Sequence, residues 1–345
     1  MITIAGFIIW KSFVEKDNIP QRPVKVKIEK GMSVAQIGNL LQDKKVIKNA
    51  LVFRFMVRRQ NVETKFQPGE YELKTGMNYD DVIKKLIKGP SITCYTITLP
   101  EGWAAKQIAA RVGSIAKINE DEYLGIVEQG QAGSDYPFLN NNGSKTNSLE
   151  GYLFPATYTI KKGTTAQQFV DMQLDQFQKR TANLNWANAQ ALGRTPYEII
   201  IIASLIERET KVAEERPIVA SVIYNRLRIG MLLQIDATVQ YALPHWKDRL
   251  SYNDLKVDSP YNTYKHLGLP PGPICNPGYD SIQAALNPAT TDYLYYVLAP
   301  DNSGRHTFAK TYGEFLKAAN EYHQSQKNQS NQTTTPSTQS VQPGQ

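Results

Sequence analysis

Apolar and polar positions follow two different periods in the first half of the chain. Val24-Lys25-Val26-Lys27-Ile28 and Thr96-Ile97-Thr98-Leu99 alternate with period two, the mark of a strand with one buried face. Each is followed by a turn, Glu29-Lys30-Gly31 or Pro100-Glu101-Gly102, and then by apolar positions at helical spacing. Val34, Ile37, Leu40 and Leu41 predict a helix from about Ser33 to Leu41, and Ala104 to Val112 predicts its counterpart. Second strands are expected over Pro68–Leu73 and over Leu149–Tyr158, with helices following at Tyr79–Ile87 and Thr165–Phe177. The polar starts at Ser33 and at Tyr79-Asp80-Asp81 suit helix N-termini. The pattern is a weak internal repeat of a small β-α-α-β module. Such a module can bind an extended polymer or simply pack on its neighbour.

The second half has a different centre. Ile199 to Ile206 is apolar almost without relief, and Glu207-Arg208-Glu209 follows with no loop residue between. Thr195-Pro196-Tyr197-Glu198 reads as a capping box with proline at the first helical position, so the run is a helix. Apolar on all sides, it should be buried on all sides. Glu207 shares a face with Ile200, Ala203 and Ser204. Burial and the helix C-terminus would both disfavour its charged form and keep a proton available for acid–base chemistry. An ion pair with Arg208, Arg216 or Arg226 is the competing reading. Glu209, two residues on, should point to another side as a partner or surface group.

Beyond a second amphipathic helix over Val219–Leu227, ended by Gly230, polar loops mix with tyrosine and proline. Leu233 to Tyr241 alternates like a strand or turn edge, while Ser259–Tyr264 and Gly268–Ile274 read as stiff proline-built loops. Amides, hydroxyls and aromatic faces on such loops are what a sugar cleft requires. Gln234, Asp236, Thr238, Tyr261, Asn262 and Tyr264 are the candidates for lining it.

The 345 residues allow two or three domains, and 41% hydrophobic with 21% charged residues describes an ordinary globular protein. The net charge of +7 suits an anionic surface without choosing one. Scattered lysines and the lack of a nucleic-acid signature argue against a nucleic-acid binder. The two cysteines, Cys94 and Cys275, have no partner motif and read as unrelated buried thiols, so neither metal nor cofactor is expected. Met1 to Trp10 is apolar and ends at Trp10-Lys11, about half of a membrane span. It reads as the outer half of an anchor over residues 1–13 whose beginning is missing, with a buried N-terminal strand as the alternative. Residues 324–345, nearly all Gln, Asn, Ser, Thr and Pro, are expected to form a disordered tail.

Several stretches together resemble the YceG-like endolytic murein transglycosylases, also called the MltG family. They are Leu149-Glu150-Gly151-Tyr152-Leu153-Phe154-Pro155, Ala203 to Thr210, Ser221 to Leu227, Leu233 to Tyr241, Ser259 to Tyr264 and Gly268 to Gly278. Singly they are weak; their order and spacing together are specific, and the similarity covers residues 24 to 322. The resemblance implies an α+β protein, with a LysM-like module at 24–92 before a catalytic domain at 93–323. The latter would comprise a second module-like part at 93–180 and a catalytic core at 195–323. It further implies a single-pass protein of the cytoplasmic (inner) membrane facing the wall, with peptidoglycan glycan strands as substrate and peptidoglycan synthases as candidate partners. A lone catalytic glutamate would fall on Glu207. That residue would protonate the oxygen linking N-acetylmuramic acid to N-acetylglucosamine, then accept the proton of the muramoyl C6 hydroxyl as a 1,6-anhydro ring closes. A non-catalytic glycan-binding scaffold of the wall-synthesis machinery is the alternative.

Overall fold

The computed structural model describes residues 20–333 apart from 92, 141 and 145. The expected anchor at 1–13 and the stretch 334–345 lie outside the described residues. The chain divides into two compact units between Thr93 and Cys94.

Unit 1 contains β1 (Pro23–Ile28), α1 (Val34–Asp43), α2 (Ala50–Arg59), β2 (Gly69–Lys74) and α3 (Tyr79–Lys88). β1 and β2 pair antiparallel, Pro23 opposite Lys74 and Ile28 opposite Gly69. Alternation works as expected: Val26 and Ile28 are buried while Lys25 and Lys27 face outward. They pack with Leu41, Phe53, Val57, Leu73, Val82 and Leu86 in a core that belongs to this unit alone. Ser33 and Gln36 close a reciprocal capping box on α1, and Asn78 caps α3.

Unit 2 opens with the same order: β3 (Cys94–Thr98), α4 (Ala105–Ala116), α5 (Glu120–Gln129), β4 (Thr157–Lys161) and α6 (Ala166–Thr181). β3 and β4 pair antiparallel from Cys94–Lys161 to Thr98–Thr157. The second strand therefore starts later than the sequence suggests. Leu149 to Pro155 is instead a buried loop, because Gly151 turns at φ +93° and its N–H goes to Asn276 Oδ1 at 2.8 Å rather than to a strand.

The rest of unit 2 is α7 (Ala187–Ala191), α8 (Pro196–Glu209), α9 (Arg216–Arg228), α10 (Asp236–Ala242), α11 (Tyr279–Leu286), β5 (Tyr295–Leu298), β6 (His306–Ala309) and α12 (Tyr312–Thr333). Among the described residues, three antiparallel two-stranded ladders and many helices make an α+β fold. α8 runs through the middle and touches α9, α10 and α11, and Ile199 through Ile206 are all buried. Its capping box is present: Thr195 Oγ1 accepts from Glu198 N at 3.2 Å and Glu198 Oε2 from Thr195 N at 2.9 Å.

Three local expectations change. Leu233 to Tyr241 is not a strand edge; α10 begins at Asp236 and buries Ala237, Thr238, Val239 and Gln240, so no single stripe betrays its helical period. Residues 324–333, expected to be disordered, continue α12. Cys94 is exposed at the start of β3, and only Cys275 is buried. Among the described residues no helix is long and apolar enough to cross a membrane.

Candidate active site

The last turn of α8 carries its two carboxylates to different neighbours. Successive residues on a helix are about 100° apart, so positions 207 and 209 face nearly opposite ways. Glu207 is half-buried rather than buried, and so is Glu209. Its Oε2 accepts from Gly278 N at 3.0 Å and from Ser281 Oγ at 2.8 Å, at the start of α11. On its other flank is the turn after β3, where a Cβ on Gly102 would lie 3.5 Å from Glu207 Cγ. Arg208 ties that turn down by donating from Nη1 to Gly102 O at 3.1 Å, and its guanidinium lies 4.7 Å over the Trp246 ring. Glu101 of the same turn abuts the Gly278 backbone, and its carboxyl is raised by burial and by the nearby charge of Glu207. Glu207 thus sits in a packed junction between two chain segments.

Glu209 faces a cleft of 640 Å³. Arg208, Arg226, Gln234, Asp236 and Tyr264 line one part of it; Tyr295, Tyr296, Tyr312, Phe315 and Tyr322 form an aromatic wall. Tyr296 donates its hydroxyl to Glu209 Oε2 at 2.9 Å. Burial pushes the Glu209 carboxyl up to about 7; Tyr296 pulls the other way, Asp236 adds to the rise, and Arg208 and Arg226 oppose it. Asp236, the first residue of α10, accepts the Tyr264 hydroxyl at 2.5 Å. Arg226 is pinned by carbonyls, donating to Leu294 O and Leu233 O at 2.6 Å each, and stacks 5.3 Å from the Tyr295 ring centre. Gln234 holds φ at +50°, an uncommon conformation for a residue with a side chain, fixed by its N–H to Thr263 O at 3.1 Å.

Three of the six residues expected to line a sugar cleft, Gln234, Asp236 and Tyr264, line the cleft that Glu209 faces, and not the surroundings of Glu207. The other three serve the fold. Thr238 is fully buried and bonded to Ile235 O and Thr263 Oγ1. Asn262, also fully buried, donates to Leu255 O and Val257 O and braces its loop. Tyr261 packs on Tyr241 with ring centres 4.8 Å apart and its hydroxyl close to Gly272. Polar residues on proline-rich loops often satisfy the loop itself, as Asn262 does.

Glu150 was not expected to matter beyond its motif. It is 4% exposed, and its two oxygens accept from Ala105 N, at the start of α4, at 3.1 and 3.0 Å. Asn276 Nδ2 donates to it at 2.7 Å, and Tyr241 is a further partner. Burial pushes this carboxyl too up to about 7. Glu150 joins α4, α10 and the Asn276 loop, and Asn276 is two residues from Gly278, which holds Glu207. A glutamate in a run of aromatic and aliphatic residues was the available signal.

The profile of the YceG-like family matches residues 26–321. A Bacillus subtilis protein named endolytic murein transglycosylase is 36% identical over 333 residues, covering 93% of this chain and 91% of its own. A Streptococcus pneumoniae protein of the same name is 33% identical over 311 residues, covering 83% of this chain and 56% of its own. The crystal structure of a yceG-like protein from Listeria monocytogenes aligns with a TM-score of 0.56 at 36% identity, over 86% of this chain and 99% of that one.

Proposed function

From the chain's membership of the YceG-like family, we propose that it is an endolytic peptidoglycan lytic transglycosylase and that Glu209 is its acid–base residue. One observation carries the assignment: the carboxyl held near neutral by burial opens onto the cleft shared with Gln234, Asp236, Tyr264 and the aromatic wall. A group of that kind is protonated often enough near neutral pH to donate and basic enough afterwards to accept.

The protonated Glu209 gives its proton to the oxygen between muramic acid C1 and glucosamine C4 as the C1–O bond breaks. The muramoyl C6 oxygen attacks C1, and its proton passes to the Glu209 carboxylate. The products are a 4-hydroxyl terminus and a 1,6-anhydro-muramoyl terminus, and Glu209 returns to its starting form. No water enters, so no second base is needed; a hydrolase would use a pair of carboxyls. Asp236, fixed by Tyr264, faces the positive charge that develops at C1, and Tyr295, Tyr312 and Tyr322 offer faces to pyranose rings. Glu207 belongs to the support, clamping the end of α8 to the start of α11.

Unit 1 is the LysM-like module of this reading. Residues 1–13 provide a membrane anchor that leaves both units on the outer face of the cytoplasmic membrane, beside the synthases whose strands are cut.

Glu209→Gln and Glu207→Gln, digested side by side with purified peptidoglycan, test the assignment. Glu209→Gln should lose at least about a thousandfold in kcat while remaining folded. Glu207→Gln should keep an activity within about tenfold of the parent, since it loses support rather than chemistry. The reverse order would move the acid to Glu207. Mass spectrometry of the parent digest should find 1,6-anhydro ends; free reducing ends would make the protein a hydrolase, and no released product would make it a scaffold.

A further inference from the structure

The chain's positive charge is not shared between its units. Residues 20–93 hold fifteen Lys and Arg against seven Asp and Glu, a net +8, whereas the whole chain carries +7. Everything outside this stretch is therefore close to neutral, at −1. Within unit 1, α2 buries Ala50, Phe53 and Val57 against the core. At about 100° per residue, Leu51, Phe55, Arg58 and Arg59 fall together on an arc of roughly 100° on the opposite side. All four are exposed, Leu51 at 66% and Phe55 at 62%, among the largest apolar exposures of the described residues. An aromatic and an aliphatic side chain left in water beside two arginines, on a unit of net +8, are not needed by the fold.

We propose that this outer face of α2 docks unit 1 on an anionic lipid surface. The combination matches how interfacial helices bind: apolar side chains enter the boundary between headgroups and acyl chains, and arginines meet lipid phosphates. Other occupants fit less well. A soluble polyanion would use the arginines and leave Leu51 and Phe55 without a role. A second copy on the same face would set Arg58 and Arg59 against their own kind. Chain connectivity agrees with a lipid surface. The apolar run Met1–Trp10 precedes Arg22 by twelve residues, a tether of at most about 45 Å when extended. Docking would hold unit 1 on the bilayer. The inference is independent of which glutamate is the acid.

The test uses a chain beginning at residue 20, so that Met1–Trp10 cannot insert; it retains both units, each with its own core. Co-sedimentation is measured with vesicles containing phosphatidylglycerol and with pure phosphatidylcholine. The anionic vesicles should bind the chain and the neutral ones should not. Arg58→Gln with Arg59→Gln should weaken binding about thirtyfold, near the loss expected for two surface charges. Phe55→Ser should weaken it about tenfold at fixed salt. All three residues are exposed, so the variants should keep the parent's circular dichroism and its activity on soluble glycan fragments. Equal binding to neutral vesicles, no binding to anionic ones, or variants that bind like the parent would overturn the proposal. So would binding to isolated wall polymer that the arginine variants abolish while vesicles remain unbound.

Discussion

The same β-α-α-β-α order occurs twice, and the two copies differ most where the second helix returns to the second strand. In unit 1 that return is short, Gln60 to Pro68; in unit 2 it runs from Gly130 to Ala156. The short return keeps the first copy closed around its own core. The long one carries Glu150 and Gly151 into the core that contains α8. A single lengthened connection thus separates a module closed on its own core from one built into a candidate catalytic domain. Lengthening a connection costs little closure entropy, and here the buried stretch 149–155 supplies packing and hydrogen bonds in return.

The largest effect should come from cutting this link. Glu150→Ala leaves the Ala105 N–H, the Asn276 amide and the Tyr241 hydroxyl without their acceptor, in a site where water has little access. Orphaning several buried donors and opening a cavity should destabilise unit 2 by about 3–5 kcal/mol. Unit 1 should not respond. Hydrogen exchange read by mass spectrometry separates the two: protection lost in α4 and α10 but kept in β1, α1 and α2 supports the comparison, and uniform loss refutes it.

A smaller effect concerns pH. Glu150 and Glu209 both rise from an ordinary carboxyl value of 4.5 to about 7 in the folded protein. The folded state then binds more protons than the unfolded state between those values, so this contribution is complete below about 4.5 and disappears as pH rises through 7. Unit 2 should lose stability across that window, by at most about 1.4 kcal/mol per pH unit for each group. Glu150→Gln should be less stable at pH 5 and show a flatter decline to pH 7, measured by thermal unfolding. The activity profile should keep its alkaline fall near 7 in this variant, because the proposed acid is Glu209. A limb that moves with Glu150→Gln would tie the proton to the wrong carboxyl.

How far these features could be read in advance depended on whether their causes are local. The capping box at Thr195 and Glu198, the alternation of β1 and the all-round burial of α8 follow from neighbouring residues, and the chain alone shows them. The repeat was visible for the same reason. α10 was not, because burial on most of its surface erases the 3.6-residue stripe. The choice between Glu207 and Glu209 was hidden too. Helical phase shows that they diverge; it does not show that Ser281 waits on one side and Tyr296 on the other, more than seventy residues later. Thr238, Tyr261 and Asn262 have the chemistry of sugar ligands and spend it on their own loops or neighbours. Residue type alone does not separate these uses.

The smallest effect offers the cleanest comparison, because one turn occurs in both copies. Gly31 follows β1 and Gly102 follows β3, at φ +90° and +78°, so both occupy backbone that disfavours a side chain. A Cβ at Gly31 would meet nothing within 4 Å. At Gly102 it would reach ordinary contact distance, 3.5 Å from Glu207 Cγ and 3.7 Å from the Arg208 side chain. Neither substitution forces a clash, so Gly31→Ala and Gly102→Ala should each cost about 1 kcal/mol through the backbone alone. Their consequences for activity should separate. The second places a methyl group against Glu207 and beside the carbonyl that accepts from Arg208, at the root of the turn that carries Glu209 into the cleft. Gly102→Ala should lower kcat about threefold to tenfold with little change in KM, since a slight displacement of an acid–base group acts on the chemical step. Gly31→Ala should leave kcat as it is. Equal activity losses in the two variants would mean that stability, and not the geometry at the end of α8, sets the rate.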